Sequence, residues 1–211
     1  MDRPDLRRGG TLWGQFIAVL TVTLVHDVFY YWHHRLQHKF PAAWLTHVIH
    51  HADEDMGVTT GYKHHWTDDA LRVLTIFVPM GLIFKLEPVT IFWLSFLFAF
   101  HQLFLHSNIN LSFGPVIGRI ITSPAQHRVH HSRLRRHWDK NFAATWSFLD
   151  VIFGTYFHPP KEAPPTGVSD RAPITNLVEG HAYPFIGWYE MARERLARYR
   201  AAGGRGASTP N

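Results

Sequence analysis

The spacing His-x-x-His-His occurs twice in this chain, at His47, His50 and His51 and again at His127, His130 and His131. A His-x-x-x-His pair, His34 and His38, precedes the first copy. Residues three and four apart lie on one face of a helix, a turn above one another. Each set is therefore expected to present its imidazoles in one direction, which constrains the fold of a chain that carries three of them. Converging imidazoles are how a protein holds zinc, iron, copper or nickel, and spacing does not choose among them. Eight imidazoles exceed the three or four that one ion takes, so two metal ions are the economical reading. His65 in "GYKHHW" and His106 in "FLHSN" lie close to these sets. His26, His33, His101, His137, His158 and His181 fall outside the pattern and are expected to be surface or packing residues.

The sets sit at the ends of apolar runs. These cover Thr11 to Val25, Ala70 to Phe84 and Val89 to Leu105. Each lacks a polar face, which separates it from an ordinary surface helix. The first two are short of the roughly 20 residues of a full span, but each can continue as helix at one end. The first runs on through "HDVFYYWHHRLQH", so apolar helix feeds directly into His34 and His38. Lys85 to Pro88, "KLEP", reads as a tight turn that makes a hairpin of the second and third runs. Both open ends of that hairpin then emerge beside the histidines.

Composition removes several alternatives. With no cysteine there are no disulfides, thiolate zinc sites, iron–sulfur clusters or thiolate haem. The formal charge of +5 lies next to apolar runs, which points to a membrane surface and not to nucleic acid. Thirteen lysines and arginines fall between Arg119 and Arg205, on the side of the histidines, and the positive-inside tendency puts that side in the cytoplasm. Arg3, Arg7 and Arg8 pull the other way. No small-residue cleavage site follows the first apolar run, so a secretory signal is not expected.

The expected fold is therefore all-α: an integral membrane helical domain with a helical hairpin and a cytoplasmic, His-rich helical metal-binding cap. Pro41 should divide the helix of His34 and His38 from that of His47 to His51. Ser123-Pro124 is a helix start, with serine as N-cap and proline at the first position. The expected division is a catalytic domain over residues 1–158, a Pro-rich loop over 159–184, and a basic amphipathic helix with a disordered tail over 185–211. That helix either lies in the membrane interface or packs on the domain. Ligand histidines need a partner for their far ring nitrogen, and Asp27, Asp53, Glu54, Asp55, Asp139 and Asp150 are candidates. Asp27 and Asp150 are preferred. Asp27 lies two helical turns before His34, where an acid at membrane depth is costly without a task.

Four stretches taken together, "HDVFYYWHHRLQHKFPAAWLTHVIHHADEDMGVTT", "FLHSN", "SPAQHRVHHS" and "DKNFAATWSFLDVIFGTY", resemble the fatty acid hydroxylase/sterol desaturase superfamily from about His26 to Tyr156. The resemblance implies an integral membrane enzyme with two metal ions, usually iron, that uses O2 against an unactivated C–H bond of a fatty acyl, alkyl or sterol lipid. Hydroxylation and desaturation are both implied as outcomes. By position it implies as ligands His34, His38, His47, His50, His51, His106, His127, His130 and His131. His65 matches a histidine in the family's Arg-x-His-Pro stretch, which here reads Lys63-His64-His65-Trp66. Some fatty acid hydroxylases have a histidine where this chain has Gln102. The chain shows no haem, flavin or iron–sulfur motif, so electrons are expected from an external donor of cytochrome or ferredoxin type. Arg133, Arg135 and Arg136 read equally as a dock for such a donor, as a site for anionic headgroups or as an ordinary solvated basic face. The competing readings are a zinc-dependent membrane hydrolase, although there is no His-Glu-x-x-His, and a non-catalytic metal-binding protein of the same fold.

Overall fold

A computed structural model describes residues 11–85, 87–169, 174 and 176–204. Arg3, Arg7 and Arg8, and the expected tail beyond Gly204, lie outside the described residues. Helix α1 runs from Leu12 to Lys39 and joins the first apolar run to the first pair of histidines without a break. The Thr11 side chain caps it, accepting from the Gly14 amide at 3.2 Å. It ends at Phe40, whose backbone is extended (φ −105°, ψ 118°) because Pro41 follows. Pro41 then opens α2, Pro41–His51, at a position where its missing N–H costs nothing.

A 3₁₀ turn, Val58–Tyr62, leads to α3, Trp66–Arg72. A π-helical turn over Val73–Phe77 passes this helix on to α4, Val78–Ile83. Next comes α5, Pro88–Leu105; the expected turn at 85–88 includes Leu86, which lies outside the described residues. Its 18 residues rise about 27 Å, close to the thickness of a bilayer's hydrocarbon core. Three short helices follow: α6 at Gly114–Ile117, α7 at Pro124–His130 and α8 at Phe148–Ile152. In α7 the Ser123 and Gln126 side chains form the reciprocal capping box that "SPAQ" announces. Among the described residues no strand forms, and Ser132 and Thr166 make only an isolated bridge.

The apolar helices face outward. Leu12, Trp13, Phe16 and Ile17 on α1 are exposed, as are Phe92, Trp93, Phe96 and Phe100 on α5. Both helices are long and apolar enough to cross a membrane. Leaving each such side chain in water would cost about 1.5–3 kcal/mol. Lipid is the solvent that removes this cost, so the chain is a helical membrane protein. Val22 and Tyr30 of α1, Ile76 of the π turn, Met80 of α4 and Leu94 of α5 form one apolar core. Toward the other end of α1 the buried residues become polar: Asp27, His33, His34 and Gln37.

The C-terminal helix starts earlier than the prolines imply. Helix α9 runs from Leu177 to Gly204 and passes through Pro184, so the irregular segment after residue 158 stops short of 184. Several interactions hold it. Asn176 Oδ1 accepts from the Glu179 amide at 2.8 Å at the start of the helix. Farther on, Gly187 lets the helix come so close to α2 that a Cβ there would lie 2.7 Å from the Leu45 methyls. The Trp188 indole donates to the Ala42 carbonyl at 2.8 Å. The helix therefore packs on the domain through its first half, while Arg193, Arg195 and Arg198 are exposed.

A lipid-facing α5 has a direct consequence. Phe96 is 60% exposed, so in water Phe96→Arg would be harmless, whereas in hydrocarbon an arginine costs about 2.5–3.5 kcal/mol. The substitution is expected to reduce sharply the carbonate-resistant membrane fraction, measured against wild type at equal expression.

Candidate metal centre

Nine histidines from four parts of the chain meet in two adjoining groups. His34, His38, His47, His51 and His130 form the first, and His50, His106, His127 and His131 the second. Within each group the nearest ring nitrogens all lie within 4.8 Å of one another. The ring centroids of His34 and His130 are 4.4 Å apart, although 96 residues separate them in the chain. Each His-x-x-His-His set is divided between the groups. His47 and His51 face the first while His50 faces the second; His130 faces the first while His127 and His131 face the second. Neighbouring residues on a helix diverge by about 100°, so the adjacent pair in each set is aimed at two different points.

Backbone carbonyls decide which nitrogen of each ring is free. A carbonyl has no proton to give, so a ring nitrogen bonded to one must be the N–H. His34 Nδ1 donates to the Phe142 carbonyl at 2.9 Å, and His130 Nδ1 to that of Lys140 at 2.8 Å. In the second group His50 Nδ1 donates to Thr60 at 3.1 Å and His106 Nδ1 to Gln102 at 2.8 Å. All four Nε2 atoms are therefore bare lone pairs. Those of His34 and His130 are buried with no hydrogen-bond partner, as are the Nε2 atoms of His38 and His131. The Nε2 atoms of His50 and His106 face each other at 3.1 Å with no proton available between them. Two lone pairs at that distance repel, and a cation beside them turns the repulsion into coordination. His127 Nε2 lies 2.9 Å from the same His106 nitrogen, and His47 and His51 approach at 3.2 Å through Nε2. The donor set is imidazole nitrogen, fitted to a divalent transition metal or zinc.

The carbonyls are themselves held in place. Asp27 accepts from the amides of Ala144, Thr145 and Trp146 at 2.9, 3.0 and 2.6 Å. Asp150 accepts from the amides of Phe142 and Ala143 at 2.7 and 3.0 Å and from the Thr155 hydroxyl at 2.7 Å. Neither carboxylate touches a histidine of the groups. They act one link further out, by gripping the loop whose Phe142 carbonyl orients His34. On either side of Lys140 the backbones of Asp139 and Asn141 are left-handed (φ 56° and 55°), a strain of about 1–3 kcal/mol each. The Asn141 side chain stabilises that loop by donating to the carbonyls of Gln126 and Phe157 and accepting from the Phe157 amide.

A cavity of about 350 Å³ opens against the first group. His38, His51 and His130 form one wall, and Trp44, Trp138 and Val168 line much of the rest.

The sequence profile described as Fatty acid hydroxylase matches residues 19–155, the segment that holds all nine histidines. The chain belongs to the fatty acid hydroxylase family. It is 30% identical over 145 residues to an alkylglycerol monooxygenase of Homo sapiens, covering 68% of this chain and 31% of that protein. It is 26% identical over 149 residues to the ornithine lipid hydroxylase OlsE of Rhizobium tropici, covering 71% of this chain and 44% of the relative. It is also 29% identical over 160 residues to the methylsterol monooxygenase erg25A of Aspergillus fumigatus, covering 74% and 50%. The chain thus spans between about a third and half of the length of these relatives. No solved structure matches it.

This family member departs from the expected ligand set at His65. Its Nδ1 accepts from the Thr67 amide at 3.2 Å and lies 2.6 Å from the Thr67 hydroxyl, which caps α3. Its Nε2 faces the His181 carbonyl at 3.3 Å, which ties α9 to α3. Both nitrogens are spent, and His65 joins neither group. The preceding His64 stacks on His50 instead, with ring centroids 4.2 Å apart. The other acids weighed from sequence do other things. Asp53 bonds Thr60 and Lys63, while Asp139 lies 3.8 Å from His38 Nδ1 with its side chain largely exposed. Asp68 and the carbonyl acceptors carried no signal in the sequence. Of the histidines set aside there, His26 stacks on Phe98 and His137 is buried against Ser132.

Burial keeps the imidazoles neutral and ready to ligate. It pushes His130 down to about 3 and His106 to about 4. His47 also falls to about 4, against the opposing pull of Asp68. Burial likewise holds His50, His51, His127 and His131 well below 6.5. Unfolded imidazoles take up protons near 6.5, whereas the folded ones do so only toward 4, so unfolding binds protons across that window. The stability this contributes is complete above 6.5 and is lost as pH falls below it. Thermal unfolding of the chelated protein in detergent should show a midpoint that is flat above pH 7 and drops steeply between about pH 6.5 and 5, with more than one proton taken up per molecule.

Proposed function

We propose that this chain is an O2-dependent, two-iron membrane oxygenase that hydroxylates or desaturates a C–H bond of a lipid, with its catalytic machinery in residues 1–158. The observation that carries this reading is the pair of bare, facing Nε2 atoms of His50 and His106, set beside a second group of imidazoles with orphaned Nε2 atoms. Family membership and lipid-oxygenase names on three separate branches of relatives support the reaction class. His34, His38, His47, His51 and His130 would hold one ion, and His50, His106, His127 and His131 the other. Iron held by neutral imidazoles supplies the activation of O2 in such a site. Hydroxylation puts one oxygen atom into the C–H bond and reduces the other to water, consuming two electrons and two protons.

The chain's own residues supply position and exclusion. The carbonyls of Phe142, Lys140, Thr60 and Gln102 fix the ligand rings before any ion binds. Trp44, Trp138 and Val168 give the cavity beside the first group an apolar wall, suited to an alkyl or acyl chain lying against the ligand histidines. The electrons come from a separate donor of cytochrome or ferredoxin type. The exposed Arg133, Arg135 and Arg136 lie in sequence just before Trp138 on that cavity, and Arg135 rests over its ring at 5.6 Å. By the charge bias after His106, the metal side faces the cytoplasm.

The test is metal analysis and O2 uptake on protein purified without a histidine tag. Two irons per chain, with O2 consumed on reduction and a lipid product shifted by one oxygen or by two hydrogens, are expected. Zinc in place of iron with O2-independent turnover would move hydrolysis ahead. His50→Ala and His130→Ala should each abolish turnover and lower metal content, one from each group, while His137→Ala keeps both ions. Val168→Trp, which fills the cavity without touching a ligand, should keep full metal content and lower turnover of long-chain substrate at least tenfold.

A further inference from the structure

Asp68 is the most heavily engaged side chain outside the two groups, and nothing in the reaction as derived uses it. It lies in the first turn of α3 and is fully buried. Five side chains, from α1, α2, α3 and the segment just before α3, converge on it. Gln37 Nε2 donates to Oδ1 at 2.6 Å, and His33 Nε2 lies 3.3 Å from the same oxygen. Around Oδ2 stand His64 Nδ1 at 3.1 Å, Arg72 at 3.2 Å and His47 Nδ1 at 3.5 Å. Burial alone would push this carboxyl up, but its bonds to His33, His47 and His64 and the Arg72 charge prevail and hold it well below the carboxylate range. It is an anion in the folded protein.

Two of its partners lead to different groups. His47 belongs to the first and turns Nε2 toward His51; its Nδ1 has no hydrogen-bond partner, and the Asp68 carboxylate is the acceptor beside it. His64 belongs to neither group, yet its ring lies flat on His50 of the second, with an interplanar angle of 18°. A carboxylate on the far nitrogen of a ligand imidazole fixes the ring and raises its basicity. A flat stack restricts rotation of the ring beneath it. We propose that Asp68 is a shared positioning residue that sets a ligand ring in each group, His47 directly and His50 through His64, and so couples the two metal sites. The proposal rests on the two-ion reading above. Arg72 and Gln37 complete the arrangement by compensating the charge and by filling the remaining acceptor sites.

The contrast with Asp150 makes the idea specific. Asp150 reaches only the loop that orients His34, so its influence is confined to the first group. The test measures cobalt(II) affinity by competition with a chelator, and the cobalt ligand-field spectrum, in two single-site backgrounds. His130→Ala leaves the second group to be read, and His50→Ala leaves the first. Adding Asp68→Asn should weaken cobalt binding 10–100-fold and shift the spectrum in both backgrounds. Adding Asp150→Asn should do so only where the first group is read. His64→Phe keeps the stacked ring but removes its bond to Asp68, and should weaken the second group alone. This variant also tests the proposal should Asp68→Asn fail to fold. If Asp68→Asn leaves either site's affinity and spectrum unchanged in folded protein, or if His64→Phe leaves the second group unchanged, the shared role is overturned. A wild-type protein that binds a single ion would instead remove the two-ion reading itself.

Discussion

Backbone carbonyls of Thr60, Gln102, Lys140 and Phe142 accept the Nδ1 protons of four histidines, and the site depends on those four bonds. Each bond commits its ring to one tautomer and leaves Nε2 without a proton. Repeated around two centres, this leaves buried lone pairs aimed at one another, which is unfavourable until a cation compensates them. The polypeptide's own hydrogen bonds therefore hold the imidazoles in an orientation suited to metal, and a cation would offset the repulsion between their lone pairs. The same burial keeps the imidazoles neutral at physiological pH, so protons do not compete for the site.

Carbonyls orient rings only if the chain that bears them is rigid. Two of the four belong to the loop between α7 and α8, whose regular structure is confined to a 3₁₀ turn at Arg135–His137. Asp27 and Asp150 supply the rigidity by taking five consecutive amides, from Phe142 to Trp146. An acid on an otherwise apolar helix is thereby explained. Asp27 ties α1 to the loop, and α1 also carries His34 and His38. The left-handed backbone at Asp139 and Asn141 turns the Lys140 carbonyl toward His130. Strain in the loop is held by the Asn141 and Asp150 bonds around it.

The membrane part and the site share the same helices. Along α1 the exposed apolar residues near Leu12 give way to buried polar ones near His34, so one helix passes from lipid to the metal centre. Likewise α5 ends at Leu105, and the next residue is His106. The exposed apolar surface of both helices thus ends a short distance from the histidine groups, while α9 packs against α2.

Much of this was legible in the sequence because local chemistry fixes it. Helical spacing, Pro41, the Ser123-Pro124 start and the unbroken apolar runs determine the helices, their breaks and their membrane character. The density of histidine determines that metal is held by imidazole. Which imidazole joins which group was decided only by the tertiary structure. Each His-x-x-His-His set reads as one unit in the sequence, yet it is divided between two groups because a 100° step separates His50 from His51 and His130 from His131. His65 looked like a ligand by position and is instead a helix cap, since the competing partners, Thr67 and the distant His181 carbonyl, are set by the fold. The partners of Asp27, Asp68 and Asp150 were equally invisible, because they are backbone amides and side chains brought together across as many as 119 residues of chain. Sequence determines the donors a residue carries, and tertiary structure determines which acceptor comes within 3 Å of them.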